Sequence, residues 1–549
     1  MVYTASRGSW VASSLQLDRL SQVVYDDRLS QVVDDNNNNF EDDDDHEKEE
    51  QEVEQSPLVE NSSSPCRTSI SYGSVGNSHG KNQRKRRSSV TDVLAEETSS
   101  MVRLAIPVIG TYLLEMLPGI VSIILVGHVH SPKTEEYIDA AALAVMFMNM
   151  TGLSVGFGLA SAMDTLCSQA HGAGEGHKTS IYLQTGIIVL SLAFVLVFVL
   201  NYNATIIFLW LGQPEEISEL AGAFNRWLIP GIPFLFMYEL LRKILQAQNN
   251  AMPMLYVSIA ANVVNIGLGY HLTFFTEVGW IGAAIARTVC NISFLVFMVT
   301  YLFATGSWRT FWGEQSRWNW NEAVRGIRRF TNLGIPGALQ LCFEWWAFEV
   351  MALICGLLPD AVLAIGTNAI LLNISSMVYM LYLGVSISAN VRIGNALGAG
   401  SAKRAKMCAN VALGLAVGCA LLCAVFLIVF RTSLPALFTH DQEIIDYCSK
   451  LLYIAAAFQV PDAVNGVIQG IFKGTGRQSF GAYLNFAAYY IVGIPIGVLL
   501  AFHLEQGVMG LWVGMTIGLF IVGTVGMVLV YRSDWPALVE ETIARLSVR

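Results

Sequence analysis

The sequence has few charged side chains beyond its first hundred residues. Residues 101–549 hold 24 Asp and Glu and 23 Lys and Arg, so only 47 of these 449 positions are charged. A soluble enzyme of this size could not keep its surface hydrated, because 53% of the residues are hydrophobic and the mean hydropathy is +0.48. We therefore exclude an ordinary soluble protein and expect most of the chain to lie in a membrane.

Signals for catalysis, metal binding and secretion are also missing. The chain has no HExxH motif, its nine cysteines form no CxxC pair, and none of its nine histidines falls in the middle of an apolar run. The N-terminus has no apolar core of a signal peptide, so membrane insertion would begin at the first apolar run. We expect no catalytic residue, no cofactor, no metal site and no nucleic-acid partner.

Long apolar runs recur from Arg103 onward, and each can cross a hydrocarbon layer of ~30 Å as a helix. They predict an all-α polytopic membrane protein with twelve transmembrane helices. The predicted spans are 104–127, 140–166, 180–200, 218–245, 253–275, 278–304, 331–357, 361–388, 405–430, 444–471, 479–503 and 507–531.

Lys and Arg are divided unequally between the two sets of loops. One set carries fourteen and the other carries four. The fourteen are Lys178, Arg242, Lys243, Arg309, Arg317, Arg325, Arg328, Arg329, Arg392, Lys403, Arg404, Lys406, Lys473 and Arg477. Because basic loops stay in the cytosol, the count predicts that both termini are cytoplasmic. The plasma membrane and a vacuolar or other endomembrane both fit.

The second half of the membrane region repeats the first. Leu104-Ala-Ile-Pro107 matches Leu333-Gly-Ile-Pro336, and Ala170-His-Gly-Ala-Gly174 matches Ala396-Leu-Gly-Ala-Gly400, at offsets of 229 and 226. Six helices is an even number, so the two copies insert in the same sense, as parallel repeats. We expect two six-helix bundles that move relative to each other around a central cavity.

The repeat divides the chain into five expected regions. These are a disordered acidic cytoplasmic tail (1–100), an N-terminal bundle (103–304), a cytoplasmic linker (305–330), a C-terminal bundle (331–531) and a cytoplasmic C-terminal tail (532–549). We expect a monomer whose partners are the lipid bilayer and a small organic substrate.

Three carboxylates lie in the interior of predicted spans of the C-terminal half, away from the span ends: Glu344, Glu349 and Asp462. A charge inside a bilayer is costly and normally faces a cavity or a partner, and burial lets a carboxyl group hold a proton near neutral pH. In the N-terminal half Glu115 is the equivalent of Glu344, and we add the nearby Tyr112 as a candidate. Glu239 and Arg287 are expected to pair with each other.

Aromatic and amide side chains near these acids suggest a cavity for organic cations. Trp345 and Phe348 adjoin the helix-seven acids, and Gln469 follows Asp462 at i+7. Further candidates are Asn149, Asn368, Asn373 and Tyr379.

The membrane region resembles the multidrug and toxic compound extrusion (MATE) family, particularly its eukaryotic branch. The resemblance covers about residues 103–531 and depends on four stretches: 154–169, 342–349, 391–400 and 489–497. It implies two bundles in a V around a central cavity and exchange of protons for organic cations or xenobiotics. It also implies that Glu344 and Glu349 are the family's paired helix-seven glutamates, that Asp462 is its helix-ten acid, and that Trp345, Phe348, Tyr379 and Asn149 line the cavity.

Three positions depart from the family pattern. Leu372-Asn373 stands where mammalian-like members have Tyr-Glu, Ser122 stands where bacterial and archaeal relatives have an Asp linked to coupling, and Ser168 replaces a usual Gly. Ser122 favours protons over sodium as the coupling ion. Export of organic anions or secondary metabolites stays an alternative, as does sodium coupling. A lipid-linked oligosaccharide flippase is less favoured, because intramembrane acids outnumber bases.

Overall fold

The structure, a computed structural model, describes residues 90–310 and 318–547. Within these ranges the chain is helical and has no β-strand. Among the described residues, eleven helices are long and apolar enough to cross a membrane. The predicted all-α polytopic fold is confirmed for this part of the chain, whereas residues 1–89 of the tail predicted over 1–100 lie outside the described residues.

We number the spanning helices α1 to α12 in chain order, followed by a final helix α13. The N lobe is defined as α1–α6 and the C lobe as α7–α12. The bounds are α1 Val90–Gly127, α2 Thr134–Gly172, α3 Gly176–Tyr202, α4 Glu215–Leu228 continued as Ile232–Ala247, α5 Met252–Phe274, α6 Gly282–Ala304, α7 Trp320–Cys355, α8 Ala361–Gly398, α9 Ala402–Val429, α10 Gln442–Thr475, α11 Gln478–His503, α12 Gly507–Tyr531 and α13 Trp535–Ser547.

Helix α4 covers the predicted span 218–245 and is not one of the eleven apolar helices. A 3₁₀ turn, Ile229–Gly231, interrupts it between its two α-helical parts. Pro230 and Pro233 lie at this turn, and each removes a backbone donor that a continuous helix would need. The second part of α4 also carries three buried charged side chains, which lower its hydropathy.

The helices extend beyond the predicted apolar runs at several ends. Helix α1 begins at Val90, so residues 90–100 are helical although we assigned them to the tail. Helix α7 begins within the predicted linker, where the Asn319 side chain accepts a hydrogen bond from the Glu322 backbone and caps the helix. The predicted C-terminal tail contains α13. Apolar runs therefore locate the parts of helices that cross the membrane, but they do not show how far each helix extends into water.

The repeated Ala-x-Gly-Ala-Gly motifs meet each other where the two lobes join. A Cβ on Gly172 of α2 would lie 2.1 Å from the backbone oxygen of Asn395 on α8. A Cβ on Gly398 of α8 would lie 2.1 Å from the backbone oxygen of Gln169 on α2. Gly172 and Gly398 are 226 residues apart, and so are Gln169 and Asn395. The two copies of the motif therefore make equivalent contacts with each other. Only glycine permits this approach, and the contact supports the parallel repeat.

Further hydrogen bonds join the lobes at the same end of the bundle. Thr165 donates its hydroxyl proton to the Lys473 backbone oxygen at 2.5 Å, and the Gln169 amide donates to the Gly474 oxygen at 3.0 Å. The Gln478 amide donates to the Ser161 oxygen at 3.0 Å. This end carries the basic loops, and we call it the basic end.

Helix α13 spans the two lobes at the basic end. Trp535 and Leu538 are buried in an apolar cluster formed mainly by α8, α9 and α10 of the C lobe. Leu546 is buried in the large apolar cluster of the N lobe. The Arg545 guanidinium donates to the Gln169 side chain at 2.7 Å, and burial lowers the pKa of Arg545. Helix α13 therefore ties the lobes together at this end.

Candidate functional site

A cavity lies between the two lobes, next to the cross-lobe contacts of the basic end and on the side facing the opposite end of the bundle. Its empty volume is about 810 Å³. The N lobe contributes Tyr112, Asp164 and Lys243 to its lining, among other residues. From the C lobe come, among others, Gln340, Glu344, Trp345, Tyr379, Gln469 and Lys473. The cavity therefore contains five of the residues that the sequence singled out: Tyr112, Glu344, Trp345, Tyr379 and Gln469.

Glu344 lies on α7 beside a cluster of neutral amides. Its side chain is only 5% exposed. The Gln469 amide donates to Asn485 at 2.7 Å and to Asn465 at 3.1 Å. The Asn485 amide in turn donates to the backbone oxygen of Gln340 at 3.1 Å. This network fixes one wall of the cavity next to the Glu344 carboxyl group, and Asn485 on α11 is a member that the sequence did not reveal.

Aromatic rings form other parts of the cavity wall. Trp345 is buried next to Glu344, and Tyr379 of α8 faces the cavity opposite Gly466 of α10, where a Cβ would lie 3.5 Å from the ring. Tyr112 of α1 is fully buried, and its hydroxyl group has no hydrogen-bond partner among the described residues. A buried carboxyl group with aromatic faces beside it suits a cation that has an apolar body.

The N lobe contains a network of buried ion pairs that the sequence did not predict. Arg242 of α4 contacts Glu239 at 2.5 Å and Glu115 of α1 at 3.3 Å. Lys243 contacts Asp164 of α2 at 2.9 Å and Glu239 at 3.6 Å. Glu115 also accepts a hydrogen bond from the Tyr238 hydroxyl group at 3.0 Å. Each of the three carboxylates thus lies within 4 Å of a cation.

This network corrects two readings of the sequence. Glu239 pairs with Arg242 and Lys243 and not with Arg287, as we had expected. Arg242 and Lys243 are 1% and 4% exposed, so neither is a loop residue. Both had been counted because they precede the loop after α4, and the sequence alone does not show how far that helix extends below the apolar run.

Lys473 and Arg392 must also be removed from the loop count. Lys473 lines the central cavity, and Arg392 is 6% exposed and binds Glu97 of α1 at 2.8 Å. Arg404 is likewise buried and lies 3.9 Å from Glu97, so nine basic residues against four remain, and the imbalance keeps its direction. No ion pair within 4.0 Å engages Lys473 in the described ranges, so a cation as well as an anion faces the cavity.

Two of the three C-lobe carboxylates lie away from the cavity lining. Glu349 is 7% exposed and lies five residues beyond Glu344 on α7, toward the end opposite the basic end. Asp462 is fully buried in α10, directly after Pro461. Their roles in coupling stay predictions, but only Glu344 of the three is placed to touch a ligand in the central cavity.

The remaining predicted residues serve the packing of their own lobes. Phe348 packs edge-on against Phe458 and Tyr489 in the apolar core and does not line the cavity. Asn368 accepts a hydrogen bond from Trp512 at 3.1 Å. Asn373 donates to the Ala369 backbone oxygen of its own helix at 2.8 Å. Asn149 is buried at the start of a π-helical segment, Asn149–Leu153, outside the cavity lining.

A metal site is not suggested by the part of the chain that the structure describes. No group of three or more His, Cys, Asp and Glu side chains there could hold a metal ion.

Comparison with known proteins identifies relatives along most of the chain. The sequence model of the MatE family matches residues 107–271 and 336–499, one match in each half. Multidrug and toxin extrusion protein 1 of Danio rerio is 32% identical over 484 residues, which cover 88% of this chain and 80% of that protein. Protein DETOXIFICATION 16 of Arabidopsis thaliana is 33% identical over 441 residues, 80% of this chain and 89% of that protein.

Solved structures show the same fold. The crystal structure of the eukaryotic MATE transporter AtDTX14 matches with a TM-score of 0.77 at 30% identity, covering 82% of this chain and 99% of that one. A Vibrio cholerae MATE transporter matches with a TM-score of 0.71 at 17% identity, over 81% of this chain and 99% of that one. The latter identity is low, so this match supports the fold alone.

Proposed function

Since this chain belongs to the MatE family of multidrug and toxin extrusion transporters and is a multi-pass integral membrane protein, we propose that it exports organic cations in exchange for protons. The observation that carries this proposal is the position of Glu344. Its carboxyl group lies in the cavity between the lobes, beside Trp345 and Tyr379. A proton and a cation would compete for this one group.

The contacts between the lobes support alternating access. The described cross-lobe hydrogen bonds run from the basic end only as far as the bond between the Trp346 indole and the Met150 oxygen, at 3.3 Å. If the basic end is cytoplasmic, as the loop charges indicate, these bonds close the cytoplasmic side of the cavity. To face inward, the transporter would separate these contacts and those of α13.

The exchange needs each ligand to weaken the binding of the other. A proton that enters from outside neutralises Glu344 and removes the charge that holds the cation. The empty, protonated site then faces the cytosol, where loss of the proton restores the carboxylate. The amide network of Gln340, Gln469 and Asn485 can hydrogen-bond either form of the carboxyl group, because amides both donate and accept.

Residues other than Glu344 distinguish the alternatives. Lys473 favours the export of organic anions, since it offers a cation to them. Sodium coupling through α1 has less support, because the Ser122 hydroxyl group donates to the Pro118 oxygen of its own helix at 2.8 Å. A flippase for a lipid diphosphate would need a mainly basic cavity, whereas Asp164 and Glu344 balance Lys243 and Lys473.

Transport into proteoliposomes tests the proposal. The full chain would be reconstituted, and uptake of radiolabelled tetraethylammonium would be measured under an imposed proton gradient, an imposed sodium gradient or neither. We expect uptake driven by the proton gradient and lost in Glu344→Gln, with Glu443→Gln at the exposed start of α10 as the matched control. Uptake driven only by sodium, or of p-aminohippurate but not tetraethylammonium, would contradict the proposal.

A further inference from the structure

A groove on the outer surface of the C lobe contains two thiol groups. It lies between α8 and α9, shares no lining residue with the central cavity, and has a volume of about 420 Å³. Cys419 and Cys423 of α9 form part of its wall. The other lining side chains are all apolar: Met377, Val378, Leu381, Leu422 and Phe426. Leu422 and Phe426 are exposed, so this side of α9 faces the lipid.

The two thiol groups are neighbours because of the helix geometry. Residues four apart on an α-helix lie on the same face, with about 5–6 Å between their Cβ atoms. Among the nine cysteines of the chain, only Cys419 and Cys423 have this spacing. Neither is in a disulfide bond, and the two thiol groups interact with each other. The groove therefore presents two sulfur atoms side by side.

Cys423 is also held from the neighbouring helices. Its thiol group interacts with the hydroxyl group of Tyr382, a fully buried residue of α8. The Tyr382 hydroxyl group in turn donates to the side-chain oxygen of Gln459 on α10 at 3.1 Å. These contacts fix the position of one sulfur atom relative to the other. A ligand that needs both sulfur atoms consequently loses little side-chain freedom on binding.

The chemistry of the two donors favours a particular class of ligand. A structural zinc ion takes four protein ligands, whereas the described ranges contain no group of three or more His, Cys, Asp and Glu side chains that could hold a metal ion. Sulfur donors prefer soft ligands, and trivalent arsenic that already carries one carbon substituent needs only two sulfur atoms. Inorganic arsenite would keep a hydroxyl group, which is unfavourable against an apolar wall.

We propose that Cys419 and Cys423 together bind a trivalent organic arsenical, with its aromatic or alkyl group in the groove. For hydrated phenylarsine oxide, two arsenic–oxygen bonds and two S–H bonds break, and two arsenic–sulfur bonds and two water molecules form. Arsenic stays trivalent, so the reaction needs no oxidant. The product carries no charge, and its position against the lipid costs no charge burial. The site does not depend on the cation export proposed for the central cavity.

The arsenic content of the purified full-length protein tests the site. The protein would be incubated with phenylarsine oxide, washed with excess mercaptoethanol and analysed by mass spectrometry. We expect one arsenic per chain, released by the dithiol dimercaptopropanol. Cys419→Ala and Cys423→Ala should each retain roughly 10-fold less arsenic, because a single bond lacks the advantage of a second, intramolecular one. Cys448→Ala removes a buried cysteine of α10 and should retain as much as the wild type.

The two variants keep the test decisive if one of them does not fold. Cys419 is only partly buried, so Cys419→Ala removes little packing. Absence of retained arsenic in the wild type would overturn the proposal, as would wild-type retention in either variant or an equal loss in Cys448→Ala. Retention of inorganic arsenite as complete as that of phenylarsine oxide would overturn the assignment to an organic arsenical. Cation transport by the same samples is measured separately and tests only the central cavity.

Discussion

The two lobes descend from one repeat but place their ionisable side chains differently. In the N lobe, Glu115, Asp164 and Glu239 each contact a cation, Arg242 or Lys243, within 4 Å. In the C lobe, Glu344 lines the central cavity together with Lys473 and with amides that bond one another. An ion pair resists a change of protonation, and Glu344 lies in the cavity that both lobes line. We infer that the N lobe uses its charges for stability and that the C lobe exchanges the proton.

The largest expected effect comes from breaking the N-lobe network. Arg242→Met leaves Glu115 without its cation and Glu239 with only its longer contact to Lys243, and removal of one partner of a buried ion pair costs about 3–5 kcal/mol. We expect a marked fall in thermal stability, measured by size-exclusion chromatography of heated detergent extracts. Arg226→Met, at an exposed position of the same helix, is the control. Unchanged stability of Arg242→Met would contradict the assigned role of the network.

Removing both members of one pair sharpens the comparison. Lys243→Met alone should destabilise the protein, and Asp164→Asn added to it should restore part of the loss, because the second substitution removes the stranded charge. The restoration should be incomplete, since Glu239 also contacts Lys243. A double-mutant cycle of melting temperatures measures this coupling. Strict additivity of the two single changes would show that the pair does not act as a unit.

The tie between the lobes gives an intermediate effect. Arg545→Ala removes the hydrogen bond to Gln169 and should weaken the closed basic end by about 1.5–3 kcal/mol, typical of a hydrogen bond to a charged group. We expect greater labelling of a cysteine introduced at Ser161, which lies in the lobe contact. Arg532→Ala serves as the control, because this exposed arginine lies between α12 and α13. Equal labelling in both variants would argue against α13 as a tie.

The position of Phe348 predicts a smaller effect on stability and none on substrate binding. Phe348→Leu keeps an apolar side chain in the C-lobe core but loses the edge-on contacts to Phe458 and Tyr489, each worth about 0.5–1.5 kcal/mol. We expect a modest fall in melting temperature with the same affinity for the transported cation. A change in affinity without a loss of stability would return Phe348 to the cavity wall, where the family resemblance had placed it.

Sequence patterns revealed much of the fold for identifiable physical reasons. Apolar runs report the membrane because hydrocarbon excludes charge, and the repeat was visible because both copies of Ala-x-Gly-Ala-Gly need glycine at the lobe contact. Glu344 was conspicuous because it interrupts an apolar run. Helix α4 was harder to interpret, since Arg242 and Lys243 follow its apolar stretch and resemble the start of a basic loop. Their partners, Asp164 and Glu115, lie on other helices, and such pairing depends on tertiary packing.

The most direct test of the account is the pH dependence of cation binding to the purified protein. Equilibrium binding of tetraethylammonium would be measured from acidic to alkaline pH in the wild type, in Glu344→Gln and in Asp164→Asn. The wild type should bind more tightly as pH rises, by roughly 10-fold or more, because the proton and the cation compete. Glu344→Gln should lose this dependence, and Asp164→Asn should keep it if the variant folds. A pH dependence that survives in Glu344→Gln and disappears in Asp164→Asn would place the exchanged proton in the N lobe and contradict the account.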